Sequence, residues 1–252
     1  MFKNNALLLF LLICCQTAVL AQASSRLYIY KGSFNSRFGR GDNIRPFEGR
    51  LIVDGDHSLF TMKEEAHYAA SLQEHTIDLR PDSLFTVYKE QGSASLLFEF
   101  IDLSHRSHWF ADTLYPMKWT LLDEEKSIGA IPCRKATTWF KGRGYTAWYA
   151  PSITISDGPW KLGGLPGLIL EAHDDEQQWH LTYVSDQEAS GFDDAFFAAR
   201  ISKGVEGYSG FSAHVKKIFS RLEASLGVAV PADCVGCQSR PVVKLHSWEK
   251  LD

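Results

Sequence analysis

The chain has 252 residues, with 26 Lys and Arg against 30 Asp and Glu, a formal charge of −4, and 45% hydrophobic residues. That charge balance excludes a nucleic-acid binder, which needs a basic footprint. A chain of this length is expected to bury roughly 70 to 75% of its unfolded surface in a single core, without needing disulfides.

Met1 to Ala21, "MFKNNALLLFLLICCQTAVLA", carries one lysine, an unbroken apolar run from Ala6 to Cys15, and Val19 and Ala21 spaced for signal peptidase before Gln22. It reads as a secretory signal peptide over 1–21, with an apolar core too short for a membrane anchor. Acylation at the Cys14-Cys15 pair is disfavoured because the residue before an acylated cysteine should be small and Ile13 is not. The reading is an exported protein, periplasmic or extracellular, with no transmembrane segment in the mature chain. Loss of Lys3 leaves 25 basic against 30 acidic residues. Residues 22–252 are expected to form one β-rich domain.

From Arg26 to Val184 the apolar residues alternate with period two between hairpin signals. "RLYIYKG" reads as a first strand, and Asn35 to Pro46 as a polar loop. "GRLIVDGDHSLFTMK" reads as two strands around the tight-turn dipeptide Asp54-Gly55. "HYAASLQEH" fits a helical turn or an irregular connection equally. "SLFTVYKE" and "SASLLFEFIDL" pair across Gln91-Gly92, followed by strands in "HWFADTLY" and "MKWTLLDE".

"IPCRKATTWF" and "YTAWYA" flank "KGRG" as a hairpin that places Tyr145, Ala147 and Tyr149 on one face and Thr146, Trp148 and Ala150 on the other. "LILEA" and "QQWHLTYV" flank "HDDE", His173 to Glu176, read as a solvated acidic turn, with Leu168, Leu170 and Ala172 on one face and Glu171 directed outward into solvent. Further on, Phe211, Val215, Ile218, Phe219 and Leu222 form the stripe of an amphipathic helix over about 209–226, with Ser209 or Ser212 as its cap and Gly227 past its end. A C-terminal tail follows.

"GPWKLGGLPGLILEA", Gly158 to Ala172, mixes glycine and proline with large apolar side chains. Gly163, Gly164 and Gly167 permit positive φ, while Pro159 and Pro166 stiffen the chain, so with Gly158 they define a fixed shape. Leaving Trp160, Leu162 and Leu165 in water costs about 1.5 to 3 kcal/mol for each. The segment is therefore expected to fold back as a plug of the core. The functional alternative is a ligand-binding rim made of Trp148, Tyr149, Trp160, Leu165 and Pro166.

Chemical equipment is sparse. No G-x-S-x-G elbow occurs, no spacing joins His, Asp and Ser into a catalytic set, and the glycine-rich segment lacks the Lys-Ser/Thr ending of a phosphate loop. No catalytic residue, metal site or cofactor is expected. His105 and His108 fall on opposite faces of a strand. Cys234 and Cys237 can oxidise together outside the cytoplasm, with a redox site and a zinc site as the other readings, and Cys133 reads as a buried small hydrophobe.

The stretch from Trp119 to Val184, with "IGAIPCRKAT", "AWYAP", "DGPWK" and the hexapeptide Gly164 to Ile169, resembles the GLPGLI family of secreted Bacteroidota proteins. "FEGRLIVDGDHSLF" is similar to that family's N-terminal strands. The resemblance implies an envelope location and a curved antiparallel sheet or half-barrel of the lipoprotein-carrier kind; with the helix read from its apolar stripe, the expected fold is mainly β with a C-terminal amphipathic helix. It implies no activity. The expected function is a non-enzymatic binding or chaperone-like module that takes a hydrophobic ligand or an outer-membrane protein as partner. The alternatives are a metal- or thiol-dependent hydrolase and an accessory of an outer-membrane uptake system.

Overall fold

The computed structural model describes residues 25–36, 43–64, 76–79, 86–93, 95–101, 106–113, 117–226 and 242–245. The signal segment, His105, the "HYAASLQEH" stretch, Cys234 and Cys237 lie outside the described residues. The strands are β1 (Arg26–Ser36), β2 (Asn43–Asp54), β3 (His57–Glu64), β4 (Thr76–Leu79), β5 (Thr86–Glu90), β6 (Ser95–Ile101) and β7 (Ser107–Thr113) in the first half. The second half holds β8 (Thr120–Ile128), β9 (Ile131–Phe140), β10 (Arg143–Ala150), β11 (Leu168–Asp174) and β12 (Trp179–Glu188). Two helices follow, α1 (Asp194–Lys203) and α2 (Tyr208–Leu226), with the two-residue β13 (Glu206–Gly207) between them and β14 (Val242–Leu245) last.

Twelve strands form one sheet in the order β13-β7-β6-β5-β3-β2-β1-β12-β11-β10-β9-β8, while β4 and β14 make a separate parallel pair. Apart from the short parallel contact of β13 with β7, the large sheet is antiparallel. The fold is thus mainly β, a single open curved sheet. Curvature has local causes: the register slips at Ile29/Tyr30, Trp148/Tyr149 and Leu121/Glu125, where the longer strand must bend. Its extent follows from one contact. Asp112 on β7 meets Lys141 of the β9–β10 turn at 2.8 Å, although about eight strand spacings, roughly 40 Å in a flat sheet, separate them. The sheet therefore wraps back toward itself.

Turn chemistry fixes the hairpins. Gly55 takes φ 57° after Asp54, and Lys141 and Gly142, at φ 50° and 72°, form the two-residue turn whose twist suits adjacent strands. The core lies on the concave side, and its largest members include Tyr30, Phe60, Phe98, Tyr145, Trp160 and Trp179. Helix α2 closes one part of that side by placing Phe211 against Phe98, Phe110 and Phe100, with ring centres 5.0, 5.4 and 5.7 Å apart. Helix α1 covers the opposite face of β5 to β7, where Phe197 stacks on Tyr88 at 4.4 Å.

Several expectations are corrected. Strands reach Ser36 and start again at Asn43, inside the expected Asn35–Pro46 loop, and β8 begins at Thr120, so Met117 to Trp119 precede it. Helix α1 was not expected, although Asp193 caps it by accepting from the amides of Ala195 and Phe196 and Gly204 ends it at φ 73°. Helix α2 starts at Tyr208. Leu168, Ile169 and Leu170 are all buried, because the bulge opposite Trp148/Tyr149 breaks the two-residue alternation.

Candidate functional site

Between β10 and β11 the chain leaves the sheet as a strap, residues 151–167, and returns across the concave side. Its shape is held by a bridge between Asp157 and Gly163 and by backbone bonds from Leu162 N to Pro159 O and from Ile169 N to Asp157 O. Glycine is required at two points. A Cβ at Gly158 would press on the Ile169 side chain, and one at Gly167, φ 152°, would collide with the Ala150 carbonyl. Trp160 itself sits at φ 55°, a conformation costing on the order of 1 kcal/mol or more for a bulky residue, offset by burial of its indole to 1% exposure. Its ring meets Trp179, Tyr145 and Phe140 at 5.8, 5.9 and 6.1 Å.

The strap is also fastened by charge. Lys89 on β5 gives all three donors of its ammonium to it: to the Asp157 carboxylate, to Gly158 O at 2.7 Å and to Leu162 O at 3.1 Å. Lys161, 1% exposed, donates to Asp112 at 2.8 Å and lies 4.0 Å from the centre of the Phe98 ring. Lys141 binds the other Asp112 oxygen at 2.8 Å and stands 3.6 Å over the Tyr208 ring. Burial pushes the Asp112 carboxyl up, but the two lysines outweigh it and hold the group below its ordinary range. These ion pairs join strands that are remote in the sheet order.

The five residues expected as a ligand rim do not share one surface. Tyr149, Trp160 and Leu165 are buried in the core, Pro166 is exposed, and Trp148 is half-buried with the Lys126 ammonium 4.4 Å from its ring centre. Of the shape-setting residues, Gly158, Pro159 and Gly167 are buried, whereas Gly163 is half-buried, with its carbonyl accepting from Trp119 Nε1 at 2.8 Å, and Gly164 is exposed at φ 86°. A hydrophobic ligand on the concave side would occupy the space now taken by Trp160, Leu162 and Leu165.

Two carboxylates sit elsewhere than expected. Glu171 does not point freely outward: its side chain is 15% exposed and accepts from Lys126 at 2.7 Å, with His180 Nε2 at 3.5 Å. Burial raises its pKa, but His180 and Lys126 together bring it down to about 2. The "HDDE" stretch is not a wholly solvated turn, since Asp174 is 0% exposed and accepts from Arg143 at 2.5 Å and from the amides of Gln178 and Trp179. Cys133 is buried, and burial pushes its thiol up, which disfavours the thiolate that a nucleophile needs. Among the described residues no group of three His, Cys, Asp or Glu converges as a metal site, and no helix is long and apolar enough to cross a membrane.

Fold and strap together define an open antiparallel sheet protein whose concave side is filled by its own loop. Residues 140–171, the segment that builds the strap and its two flanking strands, match a family described as "Protein of unknown function (Porph_ging)". No curated protein matches the chain. Among solved structures, PNGF-II is similar at 16% identity and a TM-score of 0.46, over 68% of this chain and 30% of that one. A DUF1329 family protein from Desulfovibrio piger is similar at 10% identity and a TM-score of 0.34, over 69% of this chain and 90% of that one. A putative outer membrane lipoprotein-sorting protein domain from Vibrio parahaemolyticus stands at 7% identity and 0.34, over 72% and 92%. The chain spans less than a third of the length of PNGF-II.

Proposed function

We propose that the protein is an exported cell-envelope module that binds a hydrophobic ligand, or an apolar segment of a partner, without chemical turnover. The observation that carries this reading is the way the concave side is closed. The plug is a single loop, residues 151–167, held to the far half of the sheet by Lys89 and Lys161. Buried ion pairs are a weak source of stability compared with apolar packing of the same volume. A closure built on them, over an interior rich in Trp, Tyr and Phe, suits a site that opens better than it suits a permanent core. Export is supported by the composition of Met1 to Ala21.

Titration of the purified protein with a fluorescently labelled long-chain fatty acid tests this. Saturable emission enhancement, displaced by the unlabelled acid and strengthened by replacement of the plugging Trp160 with alanine, is expected. A signal that rises without saturation, or that unlabelled acid leaves unchanged, overturns the reading.

A further inference from the structure

Trp139 is the most exposed large apolar side chain among the described residues, at 71%. It stands on β9 between the buried Thr138 and Phe140 and faces away from the core. Opposite it in the β9–β10 ladder is Gly144, and Asp175 explains the glycine. A Cβ at position 144 would fall on the Asp175 carboxylate, and the Asp175 amide donates to Gly144 O at 3.0 Å, which fixes the turn residue over that spot. Directly opposed Cβ positions lie about 5 Å apart, so the carboxylate is held at about that distance from the root of the indole. The two groups belong to different hairpins and are brought together only by the sheet.

Each half of this arrangement is locally unfavourable. An indole in water leaves a large apolar area exposed, and a glycine within a strand weakens it. An aromatic laid over a facing glycine would cover its own face, whereas this ring stays 71% exposed. Local rules broken without structural return mark functional positions. The electrostatics select what binds. The neighbouring Asp174 is committed to Arg143 inside the protein, and Glu176 lies 3.9 Å from the same guanidinium. Asp175, on the exposed turn, makes no ion pair among the described residues.

We infer that Trp139 and Asp175 form a recognition point for an arginine side chain presented by a protein partner. A guanidinium can stack on the indole and direct its fork of N–H donors at the carboxylate, satisfying both groups at once. A neutral sugar ring would stack as well but would leave the carboxylate uncompensated. The pair lies on an open strand face and not in an enclosing pocket, so a bare cation gains less there than a guanidinium carried on a polypeptide, even a short one. An arginine carried on a protein brings the surrounding contact with it, and Trp and Arg are the usual anchors of such contacts.

The test follows the Trp139 indole N–H resonance of the whole protein, assigned by its loss in Trp139→Phe, during titration with acetyl-Gly-Arg-Gly-amide, with its citrulline counterpart and with methyl glucoside. The arginine peptide is expected to shift the resonance saturably, the other two to leave it in place, and Asp175→Asn to weaken the arginine effect at least about tenfold at an unchanged melting temperature. Gly144→Ala keeps both groups in the chain but displaces the carboxylate, and is expected to weaken binding similarly. No shift with the arginine peptide, or equal shifts by citrulline or glucoside that survive Asp175→Asn, overturns the inference. So does a marked fall in melting temperature for Trp139→Phe, which would make the ring structural.

Discussion

Glu171 shows how a single side chain ties the stability of the sheet to pH. Its folded pKa of about 2 lies below the ordinary 4.5, so the unfolded chain binds the proton first as pH falls. The stabilisation it confers is complete above about pH 4.5 and is lost as pH drops toward 2. Urea midpoints measured across that window are expected to fall with pH, and Glu171→Gln is expected to flatten the slope, leaving the part due to groups such as Asp112. An unchanged slope in the variant would mean that Lys126 and His180 do not hold the carboxylate in solution. From sequence, Glu171 read as outward and solvated; the alternation from Leu170 to Asp174 holds, but Lys126 and His180 close over the carboxylate, and neither partner is marked by local pattern. Burial of Trp160, Leu162 and Leu165 was legible, because their transfer free energy leaves no other place for them. Burial of Lys161 was not: its partner Asp112 is 49 residues away, and nothing local marks a lysine as internal.

At the scale of the element, the strap depends on charges that cannot be removed singly. Lys89→Met leaves the Asp157 carboxylate buried and unpaired, and Asp157→Leu leaves the ammonium with carbonyls alone. Each is expected to cost about 3 to 5 kcal/mol. The double variant is expected to recover much of that loss, giving a coupling of at least about 1 kcal/mol in a denaturation cycle. Additive losses would show that the two side chains do not act as a pair. The strap's fixed shape could be anticipated from its Gly and Pro content, and α2 from its stripe through Phe211 and Val215. Helix α1 escaped because only Phe197 of its ten residues is buried, so no stripe exists for periodicity to find. Its cap, Asp193, and its terminator, Gly204, were the available signals.

For the whole molecule, β8 is an end strand of the twelve-stranded sheet, and it carries Asp123, Glu124 and Glu125 at its register slip. Charge and a bulge on a sheet edge oppose pairing with a second chain. Replacing the three acids together with threonine is expected to produce concentration-dependent self-association, seen as a rising mass in light scattering. A strictly monomeric variant would show that the edge is guarded by something else. The antiparallel architecture was readable from the succession of hairpins, but the strand order was not, since nothing local says that β1 lies between β2 and β12. That seam joins Arg26 to Glu188, so one side of the first strand stays open until nearly three-quarters of the polypeptide has emerged. Assembly of this protein must therefore wait for its own late-made segments, and any chain cut short before Trp179 would be left with a bare, sticky flank at its centre.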